Sequence, residues 1–136
     1  MDIEQIIDLK DRSGLFNFFI CGKNATKHNL TDIDSIKYYP VEYDLIIIGT
    51  PIWGNTMTPA IRTYITHKKP VLKKVAFFFT ARSEKFDRCI NEINVLFKDN
   101  LVASTGISQK KVKEKTEEYN KKLQEFTDQL KSHVNL

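Results

Sequence analysis

The sequence predicts an α/β protein: a parallel sheet of four strands with flanking helices, in a single domain spanning residues 1–136. Three observations carry that expectation. Leu45-Ile46-Ile47-Ile48 and Val75-Ala76-Phe77-Phe78-Phe79 are short unbroken apolar runs, as strands covered on both faces require. Each run is followed by a loop and then by apolar residues at helical spacing. Strands alternating with helices along the chain imply right-handed crossovers between parallel neighbours.

In chain order, residues 2–9 alternate imperfectly, with Ile3, Ile6, Ile7 and Leu9 as the apolar content of an expected first strand. Asp11-Arg12-Ser13-Gly14 ends it, and Leu15–Cys21, with Phe16, Phe18 and Phe19, is expected to form a short helix on the sheet. Lys23–Pro40 is polar and irregular. The strand at Leu45–Ile48 is punctuated at its carboxyl end by Gly49, Pro51 and Gly54. Thr58 is placed as an N-cap, and Pro59 at the first helical position gives up only an N–H that would be unpaired anyway. Ala60, Ile61, Tyr64 and Ile65 fit one face of that helix, which Pro70 closes.

Val75–Phe79 is the next strand. Ser83 is expected to cap a helix whose inner face is Phe86, Ile90, Ile93 and Phe97, and Leu101–Thr105 is expected to be the last strand. Ser108 then caps a long helix. Its stripe of Val112, Thr116, Tyr119, Leu123, Phe126, Leu130 and Val134 suits packing on one sheet face. A coiled coil is the competing use of such a stripe, but the flanking charges are not arranged for pairing.

Charge and cysteine usage narrow the function. No apolar run approaches the roughly 18 residues of a membrane span, and the acidic start Met1-Asp2-Ile3-Glu4 does not resemble a signal peptide. A reducing, cytoplasmic setting is expected, with Cys21 and Cys89 acting as isolated small hydrophobes. The net charge is +4, yet Lys110, Lys111, Lys113, Lys115, Lys121 and Lys122 are interleaved with Glu114, Glu117 and Glu118. That mixture is the solvated face of a helix more often than a phosphate track, so nucleic acid is not an expected partner. His28, His67 and His133 have no visible acid–base partner, and no catalytic constellation occurs.

Ligands of open α/β sheets collect beyond the carboxyl ends of the strands. The loop from Thr50 to Asn55, which holds the chain's one tryptophan, is therefore the first candidate site. Trp53 could stack on a flat ring, or could close the strand ends as an aromatic lid. Thr50, Asn55 and the backbone at Gly54 could bond a ligand edge or simply serve the turn. Arg82 and Lys85 could meet an anion or be solvated surface cations, and Arg62 is expected to be solvated.

Gly49-Thr50-Pro51-Ile52-Trp53 and Met57-Thr58-Pro59-Ala60-Ile61 resemble the strand-end loop and following helix start of flavodoxins and flavodoxin-like FMN proteins. In that family this segment contributes one wall of the flavin pocket. Looser likenesses run along the chain: Ile6–Lys10 to the family's second strand, Lys74–Thr80 to its fourth, and the helix after Gln109 to its last. The resemblance implies a sheet of order 2-1-3-4-5, a redox and electron-transfer ancestry, FMN as cofactor and a redox partner protein. It also implies flavin contacts at Thr50, Pro51, Trp53, Gly54 and Asn55, joined by Thr80, Ala81 and Arg82.

Two departures temper this. The family's first strand, helix and phosphate-wrapping turn of the S/T-x-T-G-x-T kind have no counterpart, and Ala81–Phe86 lacks the glycines usual beside the flavin edge. Hydrogen bonds to a charged group contribute about 1.5–3 kcal/mol each. Losing three would cost roughly 5–9 kcal/mol, or about four to six decades of affinity. Weak or absent FMN binding by this chain is therefore expected. The alternative function is an FMN-free interaction module on the same scaffold, and a start lying upstream would restore the missing loop. The positive charge is opposite to that of the acidic flavodoxins, which disfavours their docking mode. A missing helix would also uncover a sheet face, which leads us to expect a homodimer built near residues 3–9 and 45–48.

Overall fold

The structure, a computed structural model, describes residues 1–10 and 29–134. The helix expected over Leu15–Cys21 lies outside the described residues, as do Cys21 and His28. Four strands form one sheet: β1 (Leu45–Trp53), β2 (Thr56–Met57), β3 (Lys74–Ala81) and β4 (Leu101–Ser108), in the order β2-β1-β3-β4. Four helices of α type accompany them among the described residues: α1 (Pro59–Lys68), α2 (Asp87–Leu96), α3 (Gln109–Glu114) and α4 (Glu117–His133). No described helix is long and apolar enough to cross a membrane.

The architecture is α/β as expected, but one strand differs from the expected set. Residues 2–9 do not form a strand. They meet residues 32–34 through a single antiparallel bridge, Asp8 to Ile33, with Leu9 N–H donating to Asp32 O and Asp34 N–H to Ile7 O, both at 2.9 Å. The imperfect alternation explains this. Ile6 packs on the core, whereas Ile3, Ile7 and Leu9 stay exposed, so the segment has no apolar face to commit to a sheet. The fourth strand is instead the two-residue β2, antiparallel to β1, which makes the sheet mixed where a parallel one was expected.

β1 pairs parallel with β3 from Leu45↔Lys74 to Pro51↔Thr80, and β3 pairs parallel with β4, with an irregularity between Val75 and Ala76. β1 also runs further than expected, through Gly49 and Pro51 to Trp53. Proline is tolerated there because β2 begins to pair only at Ile52, leaving β1 a strand neighbour on one side among the described residues.

The two faces of the sheet are unequally covered. On one, Ile48, Val75, Phe77, Phe79 and Ala81 pack with Tyr64 and Ile65 of α1 and with Cys89, Ile93 and Phe97 on and next to α2. Phe77 lies 5.9 Å from Phe79 and 5.2 Å from Phe97, ring centre to ring centre. On the other, a small cluster of Ala76, Ala103 and Phe126 is joined by Leu45, Val102 and Leu130. The covering helix there, α4, packs on β4. A helix about 10–12 Å wide shields roughly two strands at about 4.8 Å spacing, and Ile47 and Phe78 are each left 42% exposed.

The expected single helix after Ser108 is two. Ser108 does cap α3, accepting from Lys111 N–H, but Lys115 takes a left-handed conformation (φ 45°) and ends it. Thr116 then caps α4, accepting from Tyr119 N–H at 3.2 Å, with Glu117 and Glu118 in the first turn where the helix dipole favours them.

Candidate functional site at the carboxyl ends of β1 and β3

The Trp53 loop is a tight β-hairpin. Gly54 and Asn55 both have positive φ, 55° and 65°, as the two central residues of a type I′ turn require. Trp53 is thereby placed opposite Thr56, and Ile52 opposite Met57. The hairpin stands at the carboxyl end of β1, and the register puts Pro51 beside Thr80, which precedes Ala81 and Arg82. The structure thus brings Thr50–Asn55 and Thr80–Arg82 to adjacent strand ends.

Within that group the side chains have different surroundings. Pro51, Gly54, Asn55 and Arg82 are exposed, and Trp53 and Thr80 are half-buried. Ala81 is buried, and Thr50 is 3% exposed with its hydroxyl facing inward. That hydroxyl lies 3.3 Å from Thr58 Oγ1 and donates to Pro51 O at 2.9 Å. Thr58 is the N-cap residue of α1 as expected, but its side chain makes no capping bond.

Beneath the hairpin lies a buried polar network not anticipated from the sequence. Arg62, expected to be solvated, is 8% exposed. Its Nη1 donates to Glu92 Oε1, and its Nη2 donates to Thr56 Oγ1 at 2.8 Å and Glu92 Oε2 at 3.2 Å. Thr56 Oγ1 in turn donates to Glu92 Oε2 at 2.6 Å. Arg62 Nε is buried without an acceptor among the described residues. The solvated expectation failed because the ion-pair partner lies 30 residues away on another helix, so no local spacing signals it.

The β3–α2 loop is tied down differently. Glu84 pairs with Lys111 at 3.1 Å and lies 3.8 Å from Lys122, while Lys111 also meets Glu118 at 2.6 Å. A hydrogen bond from Ser108, then Lys111 and Lys122, hold the Glu84 carboxyl below its usual range. Lys122 Nζ donates to Gly106 O at 2.9 Å. Ser83, expected to cap α2, does not: the helix starts after Phe86, which supplies no side-chain cap. Arg82 and Lys85 are both exposed.

Cys89 is fully buried, and burial pushes its thiol up to about 12, so it behaves as the expected small hydrophobe. Among the described residues no cluster of three or more His, Cys, Asp or Glu could hold a metal ion. An open depression between Leu9, Thr31, Thr63 and His67 shares no residue with the Trp53 loop.

No model of a known protein family matches the sequence, and a search of curated proteins finds no match. Solved structures do resemble this one. A flavoprotein in complex with FMN from Lactobacillus acidophilus NCFM is 20% identical, with a TM-score of 0.62, the likeness covering 80% of this chain and 76% of that one. A candidate flavoprotein from Bacteroides uniformis is 21% identical with a TM-score of 0.62, over 76% of this chain and 71% of that one. Another, from Bacteroides eggerthii, is 25% identical with a TM-score of 0.51, over 65% of this chain and 54% of that one. The fold is flavodoxin-like.

Proposed function

We propose that this chain is a flavodoxin-like protein of electron-transfer ancestry whose Trp53 hairpin takes the ring system of a flavin, free or carried by a partner protein. One observation carries the reading: a half-buried Trp53 on a turn-locked hairpin, at the strand ends where α/β sheets gather ligands. The flavoprotein structures that share the fold, one of them with FMN, support it.

The residues present fit part of FMN. Trp53 offers an aromatic face for offset stacking, exposed Pro51 and Gly54 present little bulk, and Asn55 can bond a ring edge. Arg82 supplies a positive charge next to the hairpin. The phosphate finds no comparable cradle among the described residues: the helix start that follows the hairpin carries Pro59, which has no N–H, and Thr58 is buried against Thr50. A bound flavin would supply the one- and two-electron chemistry, and the chain's own residues would stack, orient and charge-balance it.

The test compares riboflavin with FMN. If the ring is what the chain recognises, the two should bind within a few-fold of one another, at micromolar dissociation constants or weaker. Trp53→Ala should weaken both by about tenfold, the loss of an aromatic contact of about 1.5 kcal/mol, with little change in Tm. A Trp53→Ala protein that loses stability but binds as before would make Trp53 a lid.

A second reading is an interaction module, favoured by the exposed Ile47 and Phe78. We propose a second copy of the chain as the occupant. The uncovered face adjoins the outer edge of β1 from Leu45 to Pro51, which pairs with no strand among the described residues. An open edge is self-complementary about a two-fold axis, the commonest symmetry of dimers.

A further inference from the structure

We infer that the buried Arg62–Glu92–Thr56 network is a positioning device for Trp53, holding the ligand hairpin at a fixed height and tilt over the strand ends. The inference rests on the flavin reading for its ligand but not for its geometry. Three elements meet in the network: Thr56 on β2, Arg62 on α1 and Glu92 on α2. Thr56 is the cross-strand neighbour of Trp53. Fixing Thr56 therefore fixes the backbone directly opposite the tryptophan.

Such a hairpin needs an anchor. β2 has only two residues, and a two-stranded ribbon of that length is not stable alone. The Gly54-Asn55 turn sets register and twist within the ribbon, but cannot set how the ribbon leans on the rest of the molecule. Met57, fully buried in the main core, and Ile52, packed against it, seat the ribbon, and the hydroxyl of Thr56 adds a directional tie. That hydroxyl donates to Glu92 and accepts from Arg62, so its donor and one acceptor position are both used. A bidentate guanidinium–carboxylate pair is directional as well as charged, which makes it a rigid base plate.

Stability alone is a poor reason for this network. A buried ion pair is often no better than well-packed apolar residues of the same volume. Here the pair also leaves Arg62 Nε buried with no acceptor among the described residues, a further cost. What apolar packing would lack is a fixed direction at Thr56, the residue paired with Trp53.

Thr56→Val tests this by removing the hydroxyl at nearly constant volume, and Thr56→Ser restores the hydroxyl. Trp53 is the chain's one tryptophan, so its fluorescence anisotropy reports the hairpin without ligand. Riboflavin affinity reports the site. The expected result is lower anisotropy in Thr56→Val and weaker riboflavin binding, by up to about tenfold if about 1.5 kcal/mol of that internal hydrogen bond is fully coupled to the site. Thr56→Ser should stay close to the parent in both. Arg62→Lys keeps the charge beside Glu92 but not the fork to Thr56, and should reproduce the fall in anisotropy; it carries the test if Thr56→Val does not fold. Folded Thr56→Val or Arg62→Lys with parental anisotropy would overturn the inference. So would Thr56→Ser failing as badly as Thr56→Val, which would make shape rather than the hydroxyl decisive. If the parent protein binds no riboflavin, the flavin reading fails while the anisotropy comparison still decides the positioning role.

Discussion

Glu84 shows how a single side chain ties a strand-end loop to neighbouring helices. Its carboxyl takes a hydrogen bond from Ser108 and sits between Lys111 and Lys122, stapling the β3–α2 loop to α3 and α4. The folded pKa is depressed, so the stabilisation is present above the ordinary glutamate range and is lost as pH falls through the folded value. Glu84→Gln should therefore lower Tm slightly at pH 7, and the gap from the parent should close below about pH 4, the ordinary glutamate range. Because the side chain is 46% exposed, the effect belongs with surface pairs, at about 1 kcal/mol or less. A gap that persists unchanged at low pH in thermal melts would show that the carboxylate charge is not the source.

At the scale of elements, two glycines under aromatic rings separate tight packing from loose. A Cβ at Gly106 would lie 2.4 Å from Phe86 Cγ, and a Cβ at Gly49 would lie 2.1 Å from Phe78 Cζ. Phe86 is 5% exposed and clashes at the root of its ring, so it has nowhere to go; Phe78 is 42% exposed and clashes at its tip, so it can swing outward. Gly106→Ala is expected to cost about 1–3 kcal/mol, the range for overpacking a closed core, and Gly49→Ala clearly less. Denaturant melts showing the reverse order would place the tighter core under α4 instead of under α2.

Elements with strong local signals were legible in the sequence. The apolar runs of β1 and β3, the Thr58–Pro59 helix start and the Ser108 cap all stand near their expected places. The α3–α4 break was missed: Thr116-Glu117-Glu118 carries a cap signal, but the apolar stripe runs continuously across it and reads as one helix. β2 was not legible, since a two-residue strand has no period, although Gly54-Asn55 marked the turn. Residues 2–9 misled because four apolar residues suggest a strand whichever way they face. The Arg62–Glu92 pair, joining two helices across the core, is a product of tertiary structure alone.

For the whole molecule, the unequal faces make a prediction about assembly. The face under α1 and α2 is filled by aromatic packing, while the opposite face has α4 over β4 and leaves Ile47 and Phe78 to solvent. If a second copy covers that strip, light scattering at micromolar concentration should give about twice the 15.8 kDa chain mass. Ile47→Lys should then return the monomer without loss of helix content. A parent protein that scatters as a monomer at every concentration would remove the dimer proposal.

On the proposed flavin reading, Trp53 and its neighbours recognise a flavin ring with little help for the phosphate. The most direct measurement is an FMN titration of the purified chain followed by quenching of Trp53 fluorescence. The expected result is a protein that is colourless as isolated and a saturable quench with a dissociation constant in the micromolar range or weaker. A yellow protein that keeps stoichiometric FMN through gel filtration would contradict it, as would Trp53 emission that stays unchanged at millimolar FMN.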